Sequence, residues 1–251
     1  MGATMHKPQK YSATIQVNGA ELPVEVVFEH RWGHRYSITR KRITLRLPLG
    51  LTAAEVQKHL QQLQDWVCKV AAKKNALLEP FTPKTYRSGD LLTVGPRQYV
   101  LDIAVEDRGS HTGKLIGHTL ALQLSVRASE TQRSKAIKTL LSRIVAADFQ
   151  PEMEQRVLAL NRRTFNRPIK GVFLKYNHSN WGSCSRNGNI NLSTRLLFAP
   201  PDVQDYVILH ELAHLLELNH SDRFWSLVET FMPDYREQEK WLSKHGGSCD
   251  F

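Results

Sequence analysis

Three histidines and a glutamate interrupt an otherwise aliphatic stretch at residues 207–225, VILHELAHLLELNHSDRFW. On a helix, His210 and His214 are four residues apart and project from the same face. Two imidazoles placed in this way can hold one Zn²⁺ at about 2.0–2.1 Å. Glu211 lies about 100° further round the helix, where its carboxylate can contact a water molecule and act as general base without being a ligand. The HExxH spacing therefore predicts metal-dependent hydrolysis.

A third ligand is needed to complete such a site. Glu217 shares the face of both histidines, but at a rise of 1.5 Å per residue it lies about 10.5 Å along the axis from His210. His220 reaches the ion if the helix stops at Leu218 and Asn219 takes a left-handed conformation, which asparagine adopts readily. The predicted metal ligands are therefore His210, His214 and His220.

The metal predicted for this HExxHxxxxxH pattern is Zn²⁺, because three neutral imidazoles with an open fourth position suit zinc. Nickel, cobalt or iron can occupy the same ligands. The alternative is a buried helix with incidental histidines, which three histidines at ligand spacing make the weaker interpretation. Three nearby carboxylates are candidates to orient the imidazoles, with solvated surface positions as the alternative: Asp205, Glu217 and Asp222.

One long stretch resembles the catalytic part of the YgjP-like metallopeptidases: WGSCSRNGNINLSTRLLFAPPDVQDYVILHELAHLLELNHSDRFWSLVETFMPDYREQEKWL. Its zinc helix is similar to those of SprT-type and WLM-type proteases. The resemblance is dense over residues 170–244 and looser upstream, through RKRITLRLPLG and Asp65-Trp66. It implies a zinc-dependent hydrolase with the three histidines as ligands and Glu211 as general base, acting on a peptide or protein substrate.

The same resemblance implies that the loop NWGSC and the strand NINL lie close to the zinc helix, where a strand edge can pair with an extended peptide. Trp181, Cys184, Asn189 and Asn191 are therefore candidate residues of a substrate cleft. Core packing is the alternative for Trp181, and an inert buried thiol is the alternative for Cys184. Arg195 is a candidate to stabilise an oxyanion, with a surface ion pair as the alternative.

Periodicity predicts the elements that must position these residues. Residues 11–48 alternate like strands, with a hairpin turn at Asn18-Gly19. Thr52 and Glu55 form a capping box before one helix, and a helical period returns from Glu130. We predict an α+β fold with a mostly-β N-terminal domain containing one helix, followed by a zincin-like metallopeptidase domain with a small sheet and the HExxH helix. The two predicted ranges are 1–128 and 129–251.

The net charge of +10 at pH 7 is unevenly distributed. Residues 196–251 hold four basic and ten acidic residues, a net of −6, so the rest of the chain carries +16. Such a positive field attracts nucleic acid or nucleotides. Two alternative functions therefore stay open, a metal-dependent nucleotide or phosphoanhydride hydrolase and a DNA-associated protease of the SprT or WLM type.

No apolar run approaches the roughly 18 residues that a membrane span needs, so no membrane partner is expected. The N-terminal MGATMHKPQK has no apolar signal core. Cys68, Cys184 and Cys249 are widely separated and form no CxxC pair. These features predict a cytoplasmic protein in a reducing compartment.

Overall fold

The computed structural model describes residues 9–17, 20–39, 42–73 and 84–251. Within these ranges, five α-helices and three small sheets form the α+β fold that the sequence predicts. The described residues divide into two compact units, one ending at residue 73 and the other spanning Lys84–Phe251. Among them, no helix combines the length and the apolar character that a membrane crossing requires.

A four-stranded sheet and one helix make up the first unit. Its elements are β1 (Gln9–Val17), β2 (Ala20–Glu29), β3 (Arg35–Ile38), β4 (Ile43–Pro48) and α1 (Ala53–Lys73). The strand order is β1-β2-β4-β3, and β2 runs parallel to β4. The alternating residues predicted to face the core do so, since Ile43, Leu45 and Leu47 are completely buried.

The predicted capping box fixes the start of α1. The Glu55 carboxylate accepts a hydrogen bond from the Thr52 backbone N–H at 2.8 Å, and the Thr52 hydroxyl accepts one from the Glu55 N–H at 3.4 Å. Two donors that the first helical turn would leave without a partner are thereby satisfied. The turn predicted at Asn18-Gly19 lies outside the described residues.

The second unit begins with a four-stranded sheet and a long helix. These elements are β5 (Leu91–Val94), β6 (Arg97–Glu106), β7 (Thr112–Ile116), β8 (Thr119–Ser125) and α2 (Glu130–Arg163). The order is β5-β6-β8-β7. Pro151 lies inside α2, which continues through it as one helix.

The observed units differ from the predicted ranges 1–128 and 129–251. The reason is that β5–β8 share a hydrophobic core with α2. Leu101, Leu120 and Leu122 belong to the same buried cluster as Leu141 and Val145 of α2. The apolar face of this sheet therefore packs within the unit that also contains the HExxH helix.

A three-stranded sheet and three short helices complete the second unit. They are β9 (Gly171–Lys175), β10 (Gly182–Cys184), β11 (Asn189–Ser193), α3 (Pro201–Ala213), α4 (Asp222–Phe231) and α5 (Tyr235–His245), with a 3-10 helix at Thr194–Phe198 after β11. The strand order is β10-β11-β9. The helix α3 opens on Pro201, which the first helical turn tolerates because an N–H there would have no intrahelical partner.

The two edge strands of this sheet, β9 and β10, have different neighbours. At the β9 edge, the Gln150 side chain of α2 donates to the Val172 carbonyl at 2.7 Å and accepts from the Leu174 N–H at 2.9 Å. A single amide thus occupies the groups that a further strand would bond. The opposite edge, β10, lies beside α3.

Candidate metal centre

The imidazoles of His210, His214 and His220 converge at the C-terminal end of α3. One ring nitrogen from each lies within 4.8 Å of the others, close enough for the three to share one metal ion. The Nε2 atoms of His210 and His220 are 2.9 Å apart. Nitrogens bound to one tetrahedral zinc at about 2.0–2.1 Å are roughly 3.3 Å apart, so the donor set fits this metal with a small adjustment.

The chain reverses before His220, but not at the residue predicted. The expectation that the helix runs to Leu218 and that Asn219 is left-handed is wrong. The α3 helix ends at Ala213, and the sole non-glycine residue with positive φ in the described ranges is Asn166. Instead, the Asn219 side-chain oxygen accepts a hydrogen bond from the Ser221 N–H at 3.1 Å, which shapes the turn without backbone strain.

Hydrogen bonds that span three residues rather than four mark the early end of α3. The N–H groups of Leu215 and Leu216 bond to carbonyls three residues back, each at 3.0 Å, which tightens the last turn. His214 Nδ1 then donates to the Glu217 carbonyl at 2.9 Å. This bond assigns the proton to Nδ1 and leaves Nε2 as the atom available to a metal.

The carboxylates predicted to orient the imidazoles do not do so. Asp205 accepts a hydrogen bond from Arg156 at 2.6 Å. The Glu217 side chain lies 3.9 Å from Arg223, and it is the backbone carbonyl of this residue that contacts His214. No described hydrogen bond or ion pair joins Asp222 to an imidazole.

Aromatic rings of α4 pack against the three imidazoles. The Phe224 ring centroid lies 4.8 Å from that of His210, 4.5 Å from His214 and 4.8 Å from His220. The Phe224 side chain is completely buried, and Trp225 stacks on His220 at 5.7 Å. Phe224 belongs to the hydrophobic core, and Trp225 packs partly buried against the same core.

Burial keeps the first two imidazoles neutral. Desolvation, followed by the neighbouring His214 and His220, lowers the pKa of His210 to about 3. Desolvation also lowers the pKa of His214, in part opposed by its bond to the Glu217 carbonyl. Neutral imidazole is the form that ligates a metal, so this environment favours metal binding at neutral pH.

The Glu211 carboxylate is buried against strand β10. Its residue is 6% exposed, and burial raises its pKa to about 7, while a hydrogen bond from the Cys184 backbone N–H acts in the lowering direction. A β-carbon at Gly182 would stand 2.7 Å from Glu211 Oε1. The strand can therefore approach the carboxylate this closely only because residue 182 is glycine.

A cavity of about 350 Å³ opens beside His210 and Glu211. Trp181, one of the candidate cleft residues, lines one wall, and Tyr206 and Glu239 line another. The Tyr206 hydroxyl donates to Glu239 Oε1 at 3.0 Å.

The other cleft candidates lie differently. Cys184 contacts Glu211 through its backbone, and burial raises the pKa of its thiol to about 11, so the thiol stays protonated. In the sheet register, Gly182 and Cys184 pair with Leu192 and Ile190, whereas Asn191 pairs with Ser183. Since strand residues alternate between faces, the two asparagines of β11, Asn189 and Asn191, project away from α3 and do not line the cavity.

Arg195 serves neither of the roles considered for it. Its guanidinium donates to three backbone carbonyls, those of His178, Gly246 and Cys249, at 2.6–2.8 Å. It also lies over the Trp181 ring at 4.5 Å. Arg195 therefore ties the C-terminal segment to the loop before β10 and supports the cleft wall.

Three residues of the site escaped the sequence analysis. Gly182 carried a signal, because glycine inside a strand often marks a close approach. Tyr206 also carried one, since it lies four residues before His210 on the same helix face. Glu239 carried none, because α5 meets this cavity through tertiary packing alone.

An α+β unit in which three imidazoles converge beside a buried carboxylate is typical of a metal-dependent hydrolase. The family model of the YgjP-like metallopeptidase domain matches residues 34–245. The chain belongs to the YgjP-like metallopeptidase family, as the resemblance indicated, and carries a metallopeptidase domain that requires a metal.

No curated protein matches this chain. Among solved structures, the metallopeptidase zymogen of Pyrococcus abyssi abylysin is similar, with 25% identity over 38% of this chain and 92% of that chain. The TM-score is 0.31, which does not establish a common fold.

Proposed function

We propose that this metallopeptidase is a zinc enzyme in which His210, His214 and His220 bind the ion and Glu211 is the general base. The observation that carries the proposal is the convergence of three imidazole nitrogens within 4.8 Å beside a buried carboxylate. Membership of the YgjP-like family supports the peptidase activity and the peptide substrate.

The chain supplies a fixed proton acceptor. When bound, Zn²⁺ polarises the scissile carbonyl and lowers the pKa of a water molecule. The Glu211 carboxylate accepts the proton of this water and returns it to the leaving amine. The Cys184 N–H orients that carboxylate, and Gly182 lets β10 close over it.

The free edge of β10 is suited to hold an extended substrate. Ser193 N–H bonds to the Trp181 carbonyl and Ser185 N–H to the Asn189 carbonyl, so the intervening alternation turns Gly182 and Cys184 outward from β11. The Cys184 N–H donates to Glu211. Among the described hydrogen bonds, the N–H and carbonyl of Gly182 and the carbonyl of Cys184 have no partner. These three groups can bond a peptide backbone beside the metal site.

Cleavage of unfolded proteins by zinc-loaded enzyme tests the proposal. Glu211→Gln keeps the size of the side chain but removes the proton acceptor, so kcat/KM falls by about 100-fold or more. Glu229→Gln, an exposed carboxylate on α4, is the matched control and retains activity. Cleavage that is unaffected by Glu211→Gln would end the proposal.

The alternative functions stay predictions that rest on charge. A phosphoanhydride hydrolase would release phosphate or pyrophosphate from nucleoside triphosphates in a Glu211-dependent manner. A DNA-associated protease would bind DNA and shift its electrophoretic mobility at low salt.

The cytoplasmic location also stays a prediction, consistent with three free cysteines.

A further inference from the structure

A second carboxylate, that of the exposed residue Glu239 on α5, lines the cavity beside the metal site. The Tyr206 hydroxyl donates to its Oε1 at 3.0 Å, and Tyr206 lies one helical turn before His210. Tyr206 is itself fixed, since it is 4% exposed and its ring stacks on Tyr235 at 6.3 Å. The Glu239 carboxylate is therefore held at a defined position relative to the helix that carries His210 and Glu211.

This carboxylate has no cation within ion-pair distance in the part of the chain that the structure describes, although Arg236 lies close enough to attract it. Glu239 takes part in none of the ion pairs there. Arg236, three residues earlier on α5, donates to the Tyr235 hydroxyl instead. Of the described residues that line the cavity, two are glutamates and none is Lys or Arg.

The apolar walls of this cavity suit the methylene chain of a long side chain. Trp181 and Leu242 provide apolar surface, and the volume of about 350 Å³ is within the range of small binding pockets. Long cationic side chains pack their methylenes on such surface while the charged end reaches a carboxylate. The acidic net charge of residues 196–251 favours the same class of group.

We propose that Glu239 determines specificity by binding a cationic group of the substrate next to the scissile bond. The group is an alkylammonium or guanidinium, from a Lys or Arg side chain or from a free peptide N-terminus. Tyr206 is the positioning residue that orients the Glu239 carboxylate. This inference rests on the proposed peptidase function.

Paired peptides measure this preference. Each pair differs by Lys against norleucine on one side of the cleaved bond, and each is made with a free and with an acetylated N-terminus. We expect the wild type to favour the cationic member by about ten-fold or more in kcat/KM, since charge-assisted hydrogen bonds are the strong ones. If the bound group is a side chain, lysine is favoured over norleucine with either N-terminus. If it is the N-terminus, the free amine is favoured over the acetylated peptide, and lysine and norleucine are equal.

Two variants of α5 separate the carboxylate from general effects. Glu239→Gln retains an acceptor for the Tyr206 hydroxyl, and its ratio of cationic to neutral kcat/KM falls to about one. Glu237→Gln makes the same change of charge on the same helix away from the cavity, and it keeps the wild-type ratio. Thermal melting checks that both variants are folded. The inference is overturned by an unchanged ratio in Glu239→Gln, or by a wild type that favours neither lysine over norleucine nor the free over the acetylated N-terminus.

A binding measurement keeps this result distinct from failure of the peptidase proposal. Absence of any Glu211-dependent cleavage would end the proposed function. The same peptides are therefore titrated into Glu211→Gln protein by calorimetry, with and without Glu239→Gln. Tighter binding of the lysine peptide, or of the free over the acetylated N-terminus, that is lost with Glu239→Gln supports the cationic subsite. Equal Kd values in both comparisons overturn it.

Discussion

Gly182 and Glu211 are packed so closely that a β-carbon on residue 182 would lie 2.7 Å from both Cγ and Oε1 of the glutamate. The contact joins the edge strand β10 to the HExxH helix. Backbone atoms of β10 therefore form one wall around the proposed general base, and the adjoining Cys184 N–H bonds to its carboxylate.

Gly182→Ala is expected to inactivate the enzyme while leaving its metal in place. The three atoms nearest to the added methyl group all belong to Glu211, so the methyl group displaces this carboxylate and kcat/KM falls by about 100-fold or more. Zinc content is measured in parallel with peptide cleavage. Ser183→Ala, on the exposed face of the same strand, is the control. A fully active Gly182→Ala enzyme would show that the position of Glu211 is unimportant.

Phe224→Ala is expected to destabilise the fold and weaken metal binding together. Removing a completely buried ring costs about 3–5 kcal/mol in the free energy of unfolding, and the three imidazoles lose their common packing surface. Denaturant unfolding of the metal-free protein and zinc titration measure the two effects. Phe231→Ala, at the exposed end of α4, serves as the comparison. Zinc affinity equal to wild type in Phe224→Ala would contradict the packing role.

Gln150→Leu is expected to lower the free energy of unfolding by about 1–3 kcal/mol. The substitution leaves the Val172 carbonyl and the Leu174 N–H without their partner at the β9 edge. Urea denaturation detects the loss. Gln155→Leu introduces the same side chain at an exposed position of α2 and should have little effect. If the two variants are equally stable, the Gln150 amide is not what protects this edge.

Asn219→Gly distinguishes the observed turn from the one expected at first. Glycine cannot supply the side-chain acceptor for the Ser221 N–H, so zinc affinity should fall, by up to about ten-fold for the loss of one hydrogen bond. A left-handed residue at this position would instead be favoured by glycine. Competition with a zinc chelator measures the change, and tighter binding by Asn219→Gly would count against the structure of this turn.

Local patterns predicted much of this molecule. Period-2 alternation identified the core face of β4, the Thr52–Glu55 pair identified the start of α1, and HExxH spacing brought His210 and His214 to one side of α3. Each of these features depends on residues that are close to one another in the sequence. The sequence alone is therefore sufficient to predict them.

Specific contacts that do not follow from a periodic pattern decided the rest. The end of α3 depends on the bond from His214 to the Glu217 carbonyl, which competes with helix continuation. The pairing of β5–β8 with α2 depends on contacts between distant segments, as does the arrival of Glu239 beside His210. No local period encodes these encounters.

The number of imidazoles around the metal tests the central claim most directly. X-ray absorption at the zinc edge of zinc-loaded wild type should show three imidazole nitrogens at about 2.0–2.1 Å, and His220→Ala should show two. One zinc per chain in the wild type and in Glu211→Gln accompanies this result. A wild-type spectrum with two imidazoles, unchanged by His220→Ala, would contradict the three-histidine site.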